Sequence, residues 1–492
     1  MDRSRLNWWH DLVSSMNDGR RPLAATLAAL VPEWPDDPQV AIRAAVQASG
    51  KKVVVLDDDP TGTQTVHGVP VLTTWSVETL QAELRNELPA FYVLTNSRAM
   101  PPAAAQALNA EIGRNLVTAA REVGREFVVV SRSDSTLRGH YPGEVEALAE
   151  AMSRDFDATL LIPCFHEGGR YTIDDIHYVA EGEWLVPAAE TEFARDQAFG
   201  YRSSNLHDWV EEKTEGRVPA AQVASITIDD IRMGGPERVR ARLSELAHGS
   251  VCVVNAASNR DLAVFTLGLL WAEKEGGVYL YRTAASFVPL RSGLEGRPLL
   301  TASDLDLPAE GGGLIVVGSY VPRTTGQIGY LLSREGVLGV EVAVERLLVD
   351  EHAGDEVTRV AREAEDGLQQ GQDVVIYTSR RLVGSDDREA SLGIGSRVSK
   401  GLVAIVRSIT LRPRYVLAKG GITSSDIATA ALDVRRALVL GQIRPGVPIW
   451  SLGPESRYPG MPYIVFPGNV GTTETVDEIV TDLRPPADRR GP

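Results

Sequence analysis

Cysteine is scarce in this chain: Cys164 and Cys252 are the two in 492 residues. Both lie in apolar runs, which suits buried reduced thiols in a cytoplasmic protein better than a disulfide. Cys and His never recur at ligand spacing, which excludes a zinc site of that type. Positive charge is in deficit, 50 Lys and Arg against 66 Asp and Glu, for a formal net charge of −16. Such a chain has no general affinity for phosphodiester backbones, so no nucleic-acid partner is expected, although a local basic pocket for a small anion is compatible with it. Long apolar runs are missing. The longest, Leu262 to Ala272, contains Thr266 and Gly268 and falls far short of the roughly 20 residues of a membrane span. The start, MDRSRLNWWHDLV, lacks an apolar stretch behind basic residues, so neither a secretion signal nor a membrane partner is expected. A Gly-Lys-Ser/Thr phosphate loop is absent, and Gly393-Ile394-Gly395 lacks the third glycine of a dinucleotide fingerprint.

What is there is globular: 43% hydrophobic and 24% charged residues, long enough for two to four domains. Short β-branched runs at 51–56, 91–95, 127–131, 158–163, 223–228, 251–255, 278–282, 314–318, 373–378, 415–420 and 463–466 are continuous rather than alternating, as strands buried on both faces are. Between them fall helical stretches near 102–124, 142–154, 236–248, 259–275, 324–336, 355–370, 396–410, 424–437 and 475–483. The alternation predicts an α/β fold of two doubly wound, mostly parallel-sheet domains. The expected divisions are a Pro-broken helical extension at 1–45, a first domain at 46–290, a linker at 291–312 rich in Gly, Pro and acids, a second domain at 313–483, and a tail without structure at 484–492.

In open α/β sheets ligands bind beyond the carboxyl ends of the strands. After 51–56 stands Asp57-Asp58-Asp59-Pro60-Thr61-Gly62. Three adjacent carboxylates repel one another unless a cation, donors or a substrate hydroxyl offset them. Either the run is a solvated turn, or an Asp accepts a proton or holds a metal. After the next strands come Thr95-Asn96-Ser97-Arg98, Arg132-Ser133-Asp134-Ser135-Thr136-Leu137-Arg138-Gly139 and His166-Glu167-Gly168-Gly169-Arg170. One such Arg alone reads as a surface ion pair. Recurrence of Arg98, Arg132, Arg138 and Arg170 among hydroxyls suits a small polyhydroxylated anion. His166, His177 and His207 read as hydrogen-bonding residues.

The second half repeats a different plan: a strand, glycines, then hydroxyl residues opening a helix. Gly318-Ser319 with Thr324-Thr325-Gly326-Gln327, read as a capping box, is the first instance. Lys419-Gly420-Gly421-Ile422-Thr423 and Gly468-Asn469-Val470-Gly471 are the others. Exposed backbone N–H groups there suit phosphates; each turn alone reads equally well as a turn and nothing more.

In this order the motifs resemble the four-carbon acid sugar kinase family, over about 50 to 475. The resemblance rests on Asp58-Asp59-Pro60-Thr61-Gly62, Thr95-Asn96-Ser97-Arg98, Asp134-Ser135-Thr136-Leu137-Arg138-Gly139, Gly169-Arg170 with Thr172, Gly318-Ser319, Gly420-Gly421-Ile422-Thr423 and Gly468-Asn469-Val470-Gly471. It implies an N-terminal domain for the acid sugar, a C-terminal domain for ATP, and an active site in the cleft between them. It further implies transfer of the γ-phosphoryl group, with Mg2+, to the terminal hydroxyl of a compound like threonate, erythronate or a 3-oxotetronate. On that basis Asp58 or Asp59 is the base, and Thr61, Arg98, Arg132, Asp134, Ser135, Arg138 and Arg170 hold the acid. Ser319, Thr324, Gly420, Gly421, Ile422, Thr423, Gly468, Asn469 and Gly471 hold ATP, with Thr423 capping its helix; no metal ligand is assigned. Arg132 in place of the commoner Lys, Tyr171 in place of Thr, and the segment 172–207 depart from the family's pattern.

Two rivals stay open at this level. Asp57-x-Asp59-x-Thr61 also opens haloacid-dehalogenase-type phosphatases, with Asp57 as nucleophile and Asp59 as acid/base, but that leaves the glycine-rich second half unused. A non-catalytic acid-sugar-binding protein is the other. Self-association into a homo-oligomer is compatible with each.

Overall fold

The structure is a computed structural model that describes residues 19–319, 321–379, 388–468 and 470–485. Residues 1–18 of the expected extension, Asn469, and the expected tail from 486 lie outside the described residues. The chain forms two compact units that are not consecutive in sequence. One comprises the chain up to Asp58 with Trp75–Phe91 and Met100–Glu295; the other comprises Asp59–Thr74, Tyr92–Ala99 and the chain from Gly296.

In the first unit the strands run in the order Ala224–Ile226, Ser250–Val254, Ala158–Ile162, Tyr279–Thr283, Phe127–Arg132, Lys52–Asp57. Every pairing among them is parallel. All six residues of Lys52–Asp57 and of Phe127–Arg132 are buried, as continuous β-branched runs demand. Helix Pro102–Val123 starts with Pro at its first turn and stops at Gly124 in the left-handed conformation. It packs on helix Gly143–Met152, and Gly113 makes the close approach to Leu148 and Ala151 possible. A separate antiparallel sheet, absent from the sequence expectation, joins Arg170–Ile173, Ile176–Glu181, Trp184–Pro187 and Arg21–Pro22.

In the second unit, strand Leu314–Val317 lies between Asp373–Thr378 and Val416–Lys419, and Val416–Lys419 lies next to Pro462–Phe466, all parallel. Ile315, Val317, Leu417, Ile464 and Phe466 from these strands are buried in one core with Ile328, Leu331, Ile479 and Leu483 from helices Pro322–Leu332 and Thr475–Leu483. The expected helix at 424–437 is shorter. Gly421–Asp426 is helical and Ile427–Ala431 is a π-type turn. Strand Arg436–Arg444 then begins and pairs antiparallel with Val447–Leu452 and with Val69–Leu72. Its residues alternate between buried and half-buried, a period-2 pattern that a search for continuous apolar runs passes over. Among the described residues no helix is long and apolar enough to cross a membrane.

Candidate active site

Asp57 closes its strand opposite Arg132, its register partner, and the Arg132 Nη1 donates to Asp57 Oδ1 at 3.3 Å. Both are buried, at 1% and 4% exposure, so Arg132 sits inside the sheet rather than in an open anion cluster. Asp58 follows at 3% exposure. Its Oδ2 accepts from Ser133 Oγ at 2.5 Å, and Ser133 Oγ in turn accepts from Arg282 Nη2 at 2.7 Å. The other arm of Arg282 reaches Ser131 Oγ and Glu144. Gly139 makes room for this relay: a Cβ there would stand 2.6 Å from both Arg282 Nη2 and Ser133 Oγ and 3.2 Å from Asp58 Oδ2. Ser133 and Arg282 were not assigned from sequence. A lone charge inside the buried run Tyr279–Thr283 was the available signal for Arg282.

The loop after Arg132 is tightly wound. Leu137 has φ 69° and Gly139 φ 129°, so a non-glycine residue is held in the left-handed region. Asp134 accepts from Arg138 Nε at 2.7 Å and from the Thr136 hydroxyl. The Arg138 and Arg170 guanidiniums both lie over the Phe193 ring, at 5.0 and 5.7 Å from its centroid. Arg170 Nε is buried with no hydrogen-bond partner among the described residues. Burial, with Arg138 adding to it, lowers the Arg170 pKa from its ordinary value, while Asp134 opposes the shift. The Ser135 carbonyl accepts from His177 Nε2 at 2.7 Å. A carbonyl only accepts, so the proton is on Nε2, and Nδ1 faces the Thr172 hydroxyl at 3.0 Å. Burial pushes the His177 pKa down to about 4, so it stays neutral. His166 and His207 are hydrogen-bonded to Asn259 and Ser225. The sequence thus brought Asp134, Ser135, Arg138 and Arg170 to one place and missed Phe193 among them.

In the second unit three adjacent parallel strands carry the three glycine turns, so the turns lie side by side at the carboxyl ends. A Cβ on Gly318 would stand 2.4 Å from Thr423 Oγ1, one on Gly420 (φ 109°) 3.3 Å from Ser319 Cβ, and one on Gly468 3.6 Å from Ser319 Oγ. Gly471 carries φ 80°. The capping box is not formed. Pro322 starts the helix two residues early, so Thr324 lies within it, and no side chain caps the Val321 end. Thr324 Oγ1 instead donates to the Gly468 carbonyl at 3.1 Å, and Gln327 Nε2 donates to the Val470 and Thr472 carbonyls. These side chains bind one turn to the next. Thr423 likewise does not cap its helix, whose N-cap is Gly420. Ile422 is 57% exposed beside it.

Asp59, Thr61 and Arg98 belong to this second unit. Asp59 Oδ1 accepts from the Thr61 amide and hydroxyl at 2.9 and 2.6 Å, and Arg98 Nη1 is 3.5 Å from Oδ2. The short helical turn Pro60–Thr63 is anchored by Trp450 Nε1, which donates to Thr63 Oγ1 at 2.9 Å. Asp59 Oδ2 lies against the second glycine turn: a Cβ on Gly421 would be 3.0 Å away. Lys419, unassigned from sequence, is fully buried just before that turn. Its Nζ donates to the Pro467 carbonyl at 3.1 Å and sits 3.9 Å above the Phe466 ring. Burial, reinforced by Arg323, pushes its pKa down to about 7.

Known proteins match both halves of the chain. Residues 53–290 match a sugar-binding N-terminal domain and residues 314–476 a nucleotide-binding C-terminal domain. The chain is 31% identical over 332 residues to the 3-oxo-tetronate kinase of Pseudomonas fluorescens, covering 65% of this chain and 71% of that protein. It is 24% identical over 378 residues to the D-erythronate kinase of Heliobacterium modesticaldum, covering 73% and 79%. A Salmonella typhimurium LT2 structure described as a tRNA synthase superposes with TM-score 0.64 at 16% identity, over 87% of this chain and 98% of that one. A Haemophilus influenzae protein of the DUF1537 family gives 0.60 at 17%, over 87% and 100%. At such identities these two establish the fold alone. With both domains matched in order and a relative above 30% identity matched over most of its length, the chain belongs to the four-carbon acid sugar kinase family, phosphotransferases with an alcohol group as acceptor.

Proposed function

We propose that this chain is an ATP-dependent kinase acting on the terminal hydroxyl of a four-carbon acid sugar of the threonate, erythronate or 3-oxotetronate type. The observation that carries the proposal is the Asp59 carboxylate lying against Gly421, beside three converging glycine turns. Backbone N–H groups at Ser319, Gly421, Gly468 and Gly471 serve the phosphates, while that of Gly420 donates to the Phe466 carbonyl at 2.8 Å and holds the turn in place. Phosphoryl transfer is governed by positioning and charge neutralisation, and a carboxylate next to the phosphate turn serves both.

Asp58 and Asp59 divide the work. Asp58 sits among the Arg and Ser residues of the sugar unit and accepts the proton of the attacking hydroxyl. Asp59 serves the phosphate side. Kinases hold Mg2+ through one or two carboxylates plus phosphates and water; Asp59, beside the glycine turns, would hold it, and it would neutralise the charge on the phosphates. Arg138 and Arg170, stacked on Phe193, take the acid's carboxylate, with Ser135 and Asp134 addressing its hydroxyls.

The phosphatase alternative needs Asp57 as an open nucleophile. Its place inside the strand and its bond to its register partner Arg132 argue against that role.

The test is ADP release with Mg2+ and ATP across D- and L-threonate, D- and L-erythronate and 3-oxotetronates, with an ATP-free phosphatase control. Stimulation by one acid is expected. ATP-independent phosphate release, or silence together with no ATP binding, would sink the proposal.

A further inference from the structure

The first unit holds a basic pocket at the edge of its sheet opposite the loops that carry Asp58 and Arg138. It opens at the amino ends of strands Lys52–Asp57 and Phe127–Arg132, with a volume of about 470 Å³. Lys51, Arg121, Arg125 and Arg154 line it, together with the carboxylate of Glu126 and the Phe127 side chain. Four cations face one carboxylate in a chain of net charge −16.

Ordinary structural roles account for little of this charge. Arg121 in the last turn of helix Pro102–Val123 complements the helix dipole. The other three come from elsewhere. Arg125 follows the left-handed Gly124 cap, Lys51 precedes a strand, and Arg154 follows helix Gly143–Met152. Lys51 Nζ is 3.9 Å from a Glu126 whose side chain is 79% exposed, a pair worth little. Arg154 makes one long bond, 3.4 Å to the Phe127 carbonyl, and its guanidinium lies 5.9 Å from the Phe156 ring centroid. Arg125 Nε is buried with no hydrogen-bond partner among the described residues, so a desolvated donor is left over. The neighbouring Lys52 registers the excess. Its pKa falls to about 8, first by burial and then by the positive charge of Arg125, although Glu83 and Glu87 oppose the shift.

We propose that this pocket is a second small-molecule site, separate from the catalytic loops, that binds a phosphate-bearing anion. Its volume is that of a small-ligand cavity, and forked guanidiniums around an open anion pocket match phosphate oxygens. The proposal does not rest on the kinase reading.

Pyrophosphate is the probe, by calorimetric titration of the full chain at low ionic strength. Wild type is compared with R121E/R125E, with the milder R121Q/R125Q, and with the charge-matched surface control R202E/R362E. Phosphate-loving groups elsewhere in the chain are common to all four, so the difference isolates the pocket. Loss of a binding component in the R121E/R125E protein, at least about tenfold in affinity, is expected, with a smaller loss in R121Q/R125Q. Equal isotherms in wild type and R121E/R125E would overturn the site, as would an equal loss in the control. Displacement of the pocket's pyrophosphate by ADP or by a phosphorylated four-carbon acid supports the ligand class and tells the two sources apart. Displacement by neither overturns that class.

Discussion

Asp59 and Gly421 are in contact: the carboxylate Oδ2 occupies the space next to Gly421 that a side chain would need, 3.0 Å from an ideal Cβ. Gly421 opens its helix without a positive φ, so alanine is allowed there by the backbone but crowds the Asp59 carboxylate, which must shift to make room. The G421A variant should therefore fold, displace Asp59, and lose turnover by about ten- to a hundredfold. Nucleotide affinity should change much less. D59N, which keeps the shape and removes the charge on the phosphate side, should lose turnover by about a hundredfold or more. Full turnover in both variants, by coupled ADP assay, would remove this contact from catalysis.

Arg138 and Arg170 share the Phe193 ring. Replacing either by Lys keeps the charge but loses the planar fork. R138K and R170K should raise KM for the acid by about tenfold each and leave KM for ATP unchanged. A rise in both constants would point instead to a structural role.

The Asp58–Ser133–Arg282–Glu144 relay is buried, and severing it leaves uncompensated charge. R282M should lower stability by about 3–5 kcal/mol in urea unfolding. S133A should leave more of the stability intact and still lower turnover, because Asp58 loses the donor that orients it. A stable R282M protein with full activity would contradict the relay.

Lys419 gives a pH signature. Its folded pKa, about 7, lies below the ordinary 10.5. Between those values the unfolded chain binds more proton than the folded one, so stability gains with rising pH, and the full penalty of the buried charge is present below about 7. Wild type should therefore gain thermal stability relative to K419M as pH rises from about 7 to 9. Parallel melting curves across that range would mean the ammonium is solvated.

The parallel strands and the turns after them were legible because burial on both faces forces continuous apolar runs, and ligand-facing turns follow such runs. Strand Arg436–Arg444 was not, since a half-buried strand alternates and carries no such run; its antiparallel partner Val447–Leu452 is buried at five of six positions, but Pro448 interrupts its apolar run. Candidate residues in the loops stood out by clustering, as Asp134, Arg138 and Arg170 did. Residues within strands did not: Arg282 and Lys419 are held by partners about 150 and 48 positions away in sequence, Ser131 or Ser133 and Pro467, which no local pattern links to them. The Thr324 motif misled for a different reason. Its spacing fits a helix start, but Pro322 had already set one.

The interleaved make-up of the two units bears on how such a chain can be divided. Cutting near residue 296 would look natural from the order of the matched domains, yet the C-terminal piece would leave behind Val69–Leu72, the strand that covers one side of Arg436–Arg444. That piece would present the backbone edge of residues 436–439, which Val69–Leu72 otherwise pairs, as a template for self-association. Neither half is then a portable module. Shuffling sugar-binding and nucleotide-binding halves between relatives should give aggregates unless residues 59–74 and 92–99 travel with the second half.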